Sequence, residues 1–389
     1  AQNPLNKVFA NDDFLKKLGN NRDKHQIQVV YTQIDRKEDQ TPVLTTYEWG
    51  TDSSLYYYPA STVKMPAAFL ALEKINQLNI VGLDAHSKLE IGAGGEPQTP
   101  FSYDSTAADG TASIAQFIKE IFVVSDNNAH NRLYEFIGQE QFNRALHRKG
   151  FTNTRLVHRL GPGGFPFDPE TNQGTNPITF FDESGEMLYF QGEVSGRTPF
   201  QLTLENEIMG KAHMRNGELI GKPFDFSEKN FFALRDMHDV LQAVIFPDIT
   251  PAEQRFDLSA AQYAFLYEWM CKLPEASGIA QYAGKSDSYV KFFMFGDREE
   301  ETIPDHIKIF NKVGWAYGFL TDVSYIIDQK EGLEFFLAAT IHVNENETYN
   351  DGKYQYEEVG LPFFGALGRA IYELEKGRPR SVVPDLTSF

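Results

Sequence analysis

Apolar positions repeat first with a helical period. Leu5, Val8, Phe9, Phe14, Leu15 and Leu18 share one face over residues 4–19, and Gly19 closes the segment. The period then falls to two. Residues 25–35 and 43–49 are rich in β-branched and aromatic side chains around a charged turn, which predicts a hairpin. Behind Pro59 the helical stripe returns with Met65, Ala68, Phe69, Leu72 and Ile75. A second helix is expected from about Ser113 to Val124, with Ile114, Phe117, Ile118 and Ile121 inward, and a third over 129–137. Residues 161–177 read as a loop rich in Gly and Pro, and 178–226 as short alternating segments such as 186–191 and 200–204. Helices are expected at 230–246 and 259–273, strands at 307–315, 324–327 and 333–342, and a last helix at about 361–375.

Strands at both ends with helices between them predict an α/β domain assembled from residues 1–59 and 300–389. A helical domain, 60–299, is inserted and itself carries a β-rich insertion at about 176–228. Some fifty residues with several turns are marginal as an independent core, so the insertion should lean on the helices through Phe180, Phe181, Tyr189 and Phe190.

Composition narrows the function. With 41% hydrophobic and 14% aromatic residues in 389, the chain can bury a large core, which excludes a disordered role. Its 36 Lys+Arg against 54 Asp+Glu, net −18, argue against a nucleic-acid partner, because neutralising phosphates takes clustered cations. One cysteine, Cys271, excludes an internal disulfide and a Cys-based zinc site. No apolar run approaches the ~20 residues of a membrane span. The opening Ala1-Gln2-Asn3-Pro4 is what remains after a signal peptide is cut, so a secreted or periplasmic location is expected.

Three short motifs carry candidate chemistry. Ser61-Thr62-Val63-Lys64 opens the helix behind Pro59, and a Lys one turn after a Ser can take its proton. The helix N-terminus supplies N–H groups to an oxyanion. The spacing alone is weak, since Ser288-Tyr289-Val290-Lys291 repeats it. Ser125-Asp126-Asn127 lies between two helices, where these residue types also serve as caps. Lys312-Val313-Gly314 sits in a strand, where Gly admits a close approach to the backbone; Lys17–Gly19 and Lys330–Gly332 share its pattern.

In this order and context the three motifs match the set of the penicillin-interacting serine enzymes, and the chain resembles a class A β-lactamase. Residues 58–64, 109–113 running into 125–131, and Asp168-Pro169-Glu170-Thr171-Asn172 look like the family's nucleophile segment, S-D-N turn and omega loop. The resemblance implies an antiparallel sheet flanked by helices, plus an inserted all-helical domain. It also implies Ser61 as nucleophile, Lys64 as base, and Ser125 as the proton shuttle to the leaving nitrogen. Asn127 would bind the substrate amide, Lys312 would add positive charge, and Gly314 would let the substrate approach the backbone closely. The N–H groups of Ser61 and Trp315 would form the oxyanion hole. Asn131 would brace the omega loop, Asp168 would orient the hydrolytic water, and Glu170 would support that loop.

The chain departs from the family pattern in places. Val313 stands where a hydroxyl binds the substrate carboxylate, Phe319–Asp322 lacks an assisting Arg, and Asp168 replaces a Glu. The expected activity is therefore a serine hydrolase acting on a small-molecule β-lactam or a peptide-like amide. The alternatives are a cell-wall-type peptidase or esterase, or a binding protein with little turnover. No metal or organic cofactor is implied, and no metalloprotease, phosphate-loop or dinucleotide motif occurs. His130 is expected on a helix surface, and His238 and His342 at packing or surface positions.

Overall fold

The computed structural model describes residues 2–95, 98–161, 168–196 and 202–389. Its main sheet has five antiparallel strands in the order Ile307–Ala316, Phe319–Asp328, Leu333–His342, Gln28–Arg36, Pro42–Trp49. The two ends of the chain therefore share one sheet, with Val30 opposite Ala338 and Tyr31 opposite Leu337.

Strand alternation divides the core in two. Phe335, Leu337, Ala339 and Ile341 face the helices Pro4–Asn11, Asp13–Gly19 and Leu361–Gly377, together with Val29 and Tyr31. Phe336 and Ala338 face the other way, with Val30 and the Met237–Leu241 stripe of the helix Leu234–Ile245. That second core continues into the helices Lys64–Leu78, Ile114–Val123 and Asn127–Ile137.

Three expectations change in detail. The stripe over 4–19 is two helices, because Asp12 is extended (φ −111°, ψ 124°) and its carboxylate accepts the Leu15 N–H at 2.9 Å to cap the second. The strand expected at 324–327 runs from Phe319 to Asp328. Thr321 and Asp322 hid its first half, since they are polar yet buried. Asp322 is satisfied there by Asn311 (2.9 Å), Ser324 (2.8 Å) and the N–H groups of Phe292 and Phe293. A helix over Gln139–Arg148 went unpredicted because its inward face pairs only Phe142 and Leu146 with buried polar Gln139 and Asn143.

The β-rich stretch packs on the helices. Ile178–Phe181 joins Lys88–Ile91 and Met187–Gln191 in one sheet. Phe180 is fully buried between Phe136 (5.4 Å) and Tyr189 (6.1 Å). Phe190 is exposed instead. Residues 200 and 201 of the segment expected at 200–204, and 162–167 of the loop expected at 161–177, lie outside the described residues. Among the described residues no helix is long and apolar enough to cross a membrane.

Candidate active site

The segment around Ser61 turns sharply. Ala60 adopts φ 47°, a left-handed conformation that an L-residue enters at a cost, and Ala60–Val63 form a 3₁₀ turn leading into the helix Lys64–Leu78. This places Ser61 at the mouth of the helix and folds Lys64 inward, where it is fully buried. Lys64 Nζ lies 2.8 Å from Ser61 Oγ, 3.1 Å from Ser125 Oγ, 2.5 Å from the Ser125 carbonyl and 2.7 Å from Asn127 Oδ1.

Ser125 is itself left-handed, φ 59°, and this conformation presents both its carbonyl and its hydroxyl to Lys64. The strain is held by Asp126, whose carboxylate accepts the Ala129 N–H at 2.8 Å and caps the helix Asn127–Ile137. Asn127 is oriented from both sides, accepting from Lys64 and donating to the Gly161 carbonyl.

The third side is the strand Ile307–Ala316, which forms an edge of the sheet. An edge strand keeps unpaired N–H groups on its free side. Lys312 is buried and donates to Ser125 Oγ at 2.8 Å and to the Val313 carbonyl at 2.9 Å. A Cβ on Gly314 would lie 2.5 Å from the Pro59 carbonyl oxygen and 2.8 Å from the Ser61 nitrogen, so only glycine lets the strand run against the backbone at Ser61. Ser125 Oγ thus stands between two lysine amines.

Burial governs the charges. It pushes the Lys64 amine down to about 7, partly offset by the attraction of Asp126. Lys312 falls well below the ordinary lysine range through burial and then repulsion from Lys64. Two ammonium groups on one hydroxyl cannot both hold their protons without cost. A neutral Lys64 amine next to a serine hydroxyl is a base in hydrogen-bond reach of the proton it would take.

Other candidates sit farther out. Asn131 is buried and grips Leu160 twice, donating to its carbonyl at 2.9 Å and accepting its N–H at 2.8 Å. Asp168 Oδ1 accepts the Thr171 N–H at 2.7 Å, the contact that most lowers its pKa, and no hydrogen bond joins it to Lys64 or Ser61. Glu170 is exposed on the same turn, where its carbonyl accepts the Gln173 N–H. Trp315 is half exposed, with its ring 5.5 Å from Tyr356 and 6.0 Å from Phe292.

The structure corrects two readings of the sequence. His130 is buried, not on the helix surface, because its helix packs against Lys64–Leu78 and Ile114–Val123 and leaves that face no solvent. Burial, then the charges of Lys64 and Lys312, hold it neutral. Val313 is buried in the core on the far face of the sheet, since alternation sends its side chain away from Lys312. The competing Ser288/Lys291 pair is structural: Lys291 Nζ is consumed by the Met270 and Ile309 carbonyls and Asn311 Oδ1 at 2.6–2.9 Å. Asp126, given no role in the sequence reading, is the carboxylate that acts on Lys64.

By structure the chain is similar to a beta-lactamase from Sphaerobacter thermophilus DSM 20745, at 13% identity and TM-score 0.52, over 97% of this chain and 98% of that one. It is also similar to a beta-lactamase from Burkholderia ambifaria (14%, TM-score 0.48, 93% and 99% covered). A third is a class A beta-lactamase from Clostridium kluyveri DSM 555 (15%, TM-score 0.47, 92% and 97% covered). No curated protein matches. The sequence itself matches the model of one family over residues 11–374, nearly the whole length. The antiparallel sheet with its helices is that family's fold, and the chain belongs to the beta-lactamase enzyme family.

Proposed function

We propose that the protein is a serine hydrolase that opens an amide of a small molecule, a β-lactam or a peptide-like relative, through an acyl-enzyme on Ser61. The observation that carries this reading is the buried Lys64 amine 2.8 Å from Ser61 Oγ, with its pKa brought down to about 7. Neutral Lys64 takes the Ser61 proton as Oγ attacks the carbonyl carbon. The oxyanion forms at the helix mouth, against the N–H groups of Ser61 and, on the strand that Gly314 lets run against that backbone, Trp315. Ser125 Oγ passes a proton to the leaving nitrogen, and the two lysine amines around it replenish that proton. Asn127 and Lys312 hold the substrate, and Asn131 fixes the loop at Leu160 that Asn127 also touches through Gly161. Water then attacks the ester carbonyl and releases Ser61.

Deacylation is the slower half in this reading. Asp168 is engaged with Thr171, so orienting the water requires a carboxylate that is one methylene short and already bonded elsewhere. A misplacement of ~1 Å can cost about a hundredfold in rate. Export to the periplasm or beyond fits a cell-wall or antibiotic substrate and belongs to the same proposal. The test is a panel of a chromogenic cephalosporin, p-nitrophenyl acetate and an acyl-D-Ala-D-Ala peptide, each with wild type and Ser61→Ala. Turnover of at least one that vanishes in Ser61→Ala supports the reading; equal rates in both proteins overturn it.

A further inference from the structure

A second cavity, of about 560 Å³, opens between the segment 14–26, the short strand Ile208–Met209 and the loop that leaves the strand Leu333–His342. None of Ser61, Lys64, Ser125 or Lys312 lines it. Its size falls within the ordinary range of small-molecule sites. Its walls mix apolar Phe14, Leu18 and Val343 with polar groups that the fold leaves unused.

Asn344 is the sharpest of these. It is nine-tenths buried, lines the cavity, and neither Nδ2 nor Oδ1 has a hydrogen-bond partner among the described residues. The nearby Tyr349 hydroxyl feels the Asn344 amide, but its hydrogen bond goes to His342 Nε2 at 3.3 Å. Gln26, also in the wall, has a buried Oε1 without a partner, its Nε2 reaching only the Met209 sulfur at 3.6 Å. A buried amide with both ends unpaired forfeits its hydrogen bonds to water and gains none in return. A ligand that presents a C=O and an N–H side by side would satisfy Asn344 at both atoms.

The charges at the rim add direction. Lys17 and Lys24 line one wall, are exposed and form no ion pair among the described residues. Glu345 lines the wall from the 342–349 side. We propose that this cavity is a second binding site, separate from Ser61, for a short peptide carrying a free carboxylate and a free amine. The carboxylate meets Lys17 and Lys24, the amine meets Glu345, and a peptide bond pairs with Asn344. The site stands whether or not Ser61 is a nucleophile.

The test uses trialanine, its C-terminal amide and its N-acetyl form, titrated into the full-length Ser61→Ala protein and followed by calorimetry. Trialanine is expected to bind, with at least tenfold weaker binding once the carboxylate is amidated. Asn344→Leu, and separately the exposed pair Lys17→Glu/Lys24→Glu, should each weaken it by tenfold or more. In a wild-type background these variants should leave fluorophosphonate labelling of Ser61 unchanged. No binding by trialanine overturns the proposal. So does binding that both variants leave intact, which would place the peptide elsewhere.

Discussion

Replacing Lys64 with Met separates its role as a base from its role in packing, because burying an amine leaves a signature in stability against pH. The folded-state pKa of Lys64 is lowered to about 7 from the ordinary lysine value of 10.5, so folding releases its proton. The penalty for burying the charged form is complete below pH 7, fades between about 7 and 10.5, and is gone above. Integrating the proton difference from pH 6 to 9 gives wild type a gain of about 2.5 kcal/mol that Lys64→Met does not share. Lys312, 2.8 Å from the same Ser125 hydroxyl, loses the repulsion of Lys64 in the variant and so releases less of its own proton on folding, which adds to the difference in the same direction. Urea unfolding of both proteins across that pH range reads the difference. The wild-type curve should climb relative to the variant by at least that amount, while Lys64→Met loses Ser61 labelling at every pH. Parallel curves would mean that Lys64 stays charged in the folded protein and cannot take the serine proton, and the base assignment would fall.

Four further outcomes follow from the same geometry. Acylation of Ser61 should rise about tenfold between pH 6 and 8 and level off above, as Lys64 loses its proton; a rate that is flat or falls over that range contradicts a base near pH 7. Gly314→Ala forces a Cβ to within 2.5 Å of the Pro59 carbonyl, and should cut the labelling rate about a hundredfold, read by stopped-time mass spectrometry; near-normal labelling would show that the strand can stand off from the nucleophile. Val313→Thr should leave cephalosporin turnover within about twofold and cost about 1 kcal/mol of stability for a hydroxyl placed in the far-face core, whereas Asp168→Glu should speed release of the acyl group. A large gain from the threonine would mean that position 313 reaches substrate after all.

The local parts of the site were legible because they are local. A Ser and a Lys one helical turn apart meet wherever a helix begins, and 61/64 could be told from 288/291 only by the Ser-Asp-Asn turn and the late Lys-x-Gly strand in the right order. The two-ended sheet was legible from period-two segments at both ends of the chain. Less visible were features set by packing across the fold. Burial of His130 depends on which face of its helix meets Lys64–Leu78, and an eleven-residue helix with His, Asn and Arg on several faces does not announce it. The polar pair Thr321 and Asp322 masked the first half of a strand because the partners of Asp322, Asn311 and the Phe292–Phe293 backbone, are distant in sequence. The direction of Val313 was available: alternation in a strand that turns Lys312 to the site must turn its neighbour away. Asp168 was placed by likeness to a motif, and its hydrogen bond to Thr171, a local turn preference, was not weighed against that.

The central claim is a covalent bond at Ser61, and intact-protein mass spectrometry with peptide mapping reads it directly. The protein is incubated with a fluorophosphonate and, separately, with benzylpenicillin at pH 8, where Lys64 is mostly neutral. One adduct per chain is expected, mapped to Ser61, formed by wild type and absent from Ser61→Ala. An adduct that persists in Ser61→Ala, or a wild-type protein that takes no adduct from either reagent, would contradict the account.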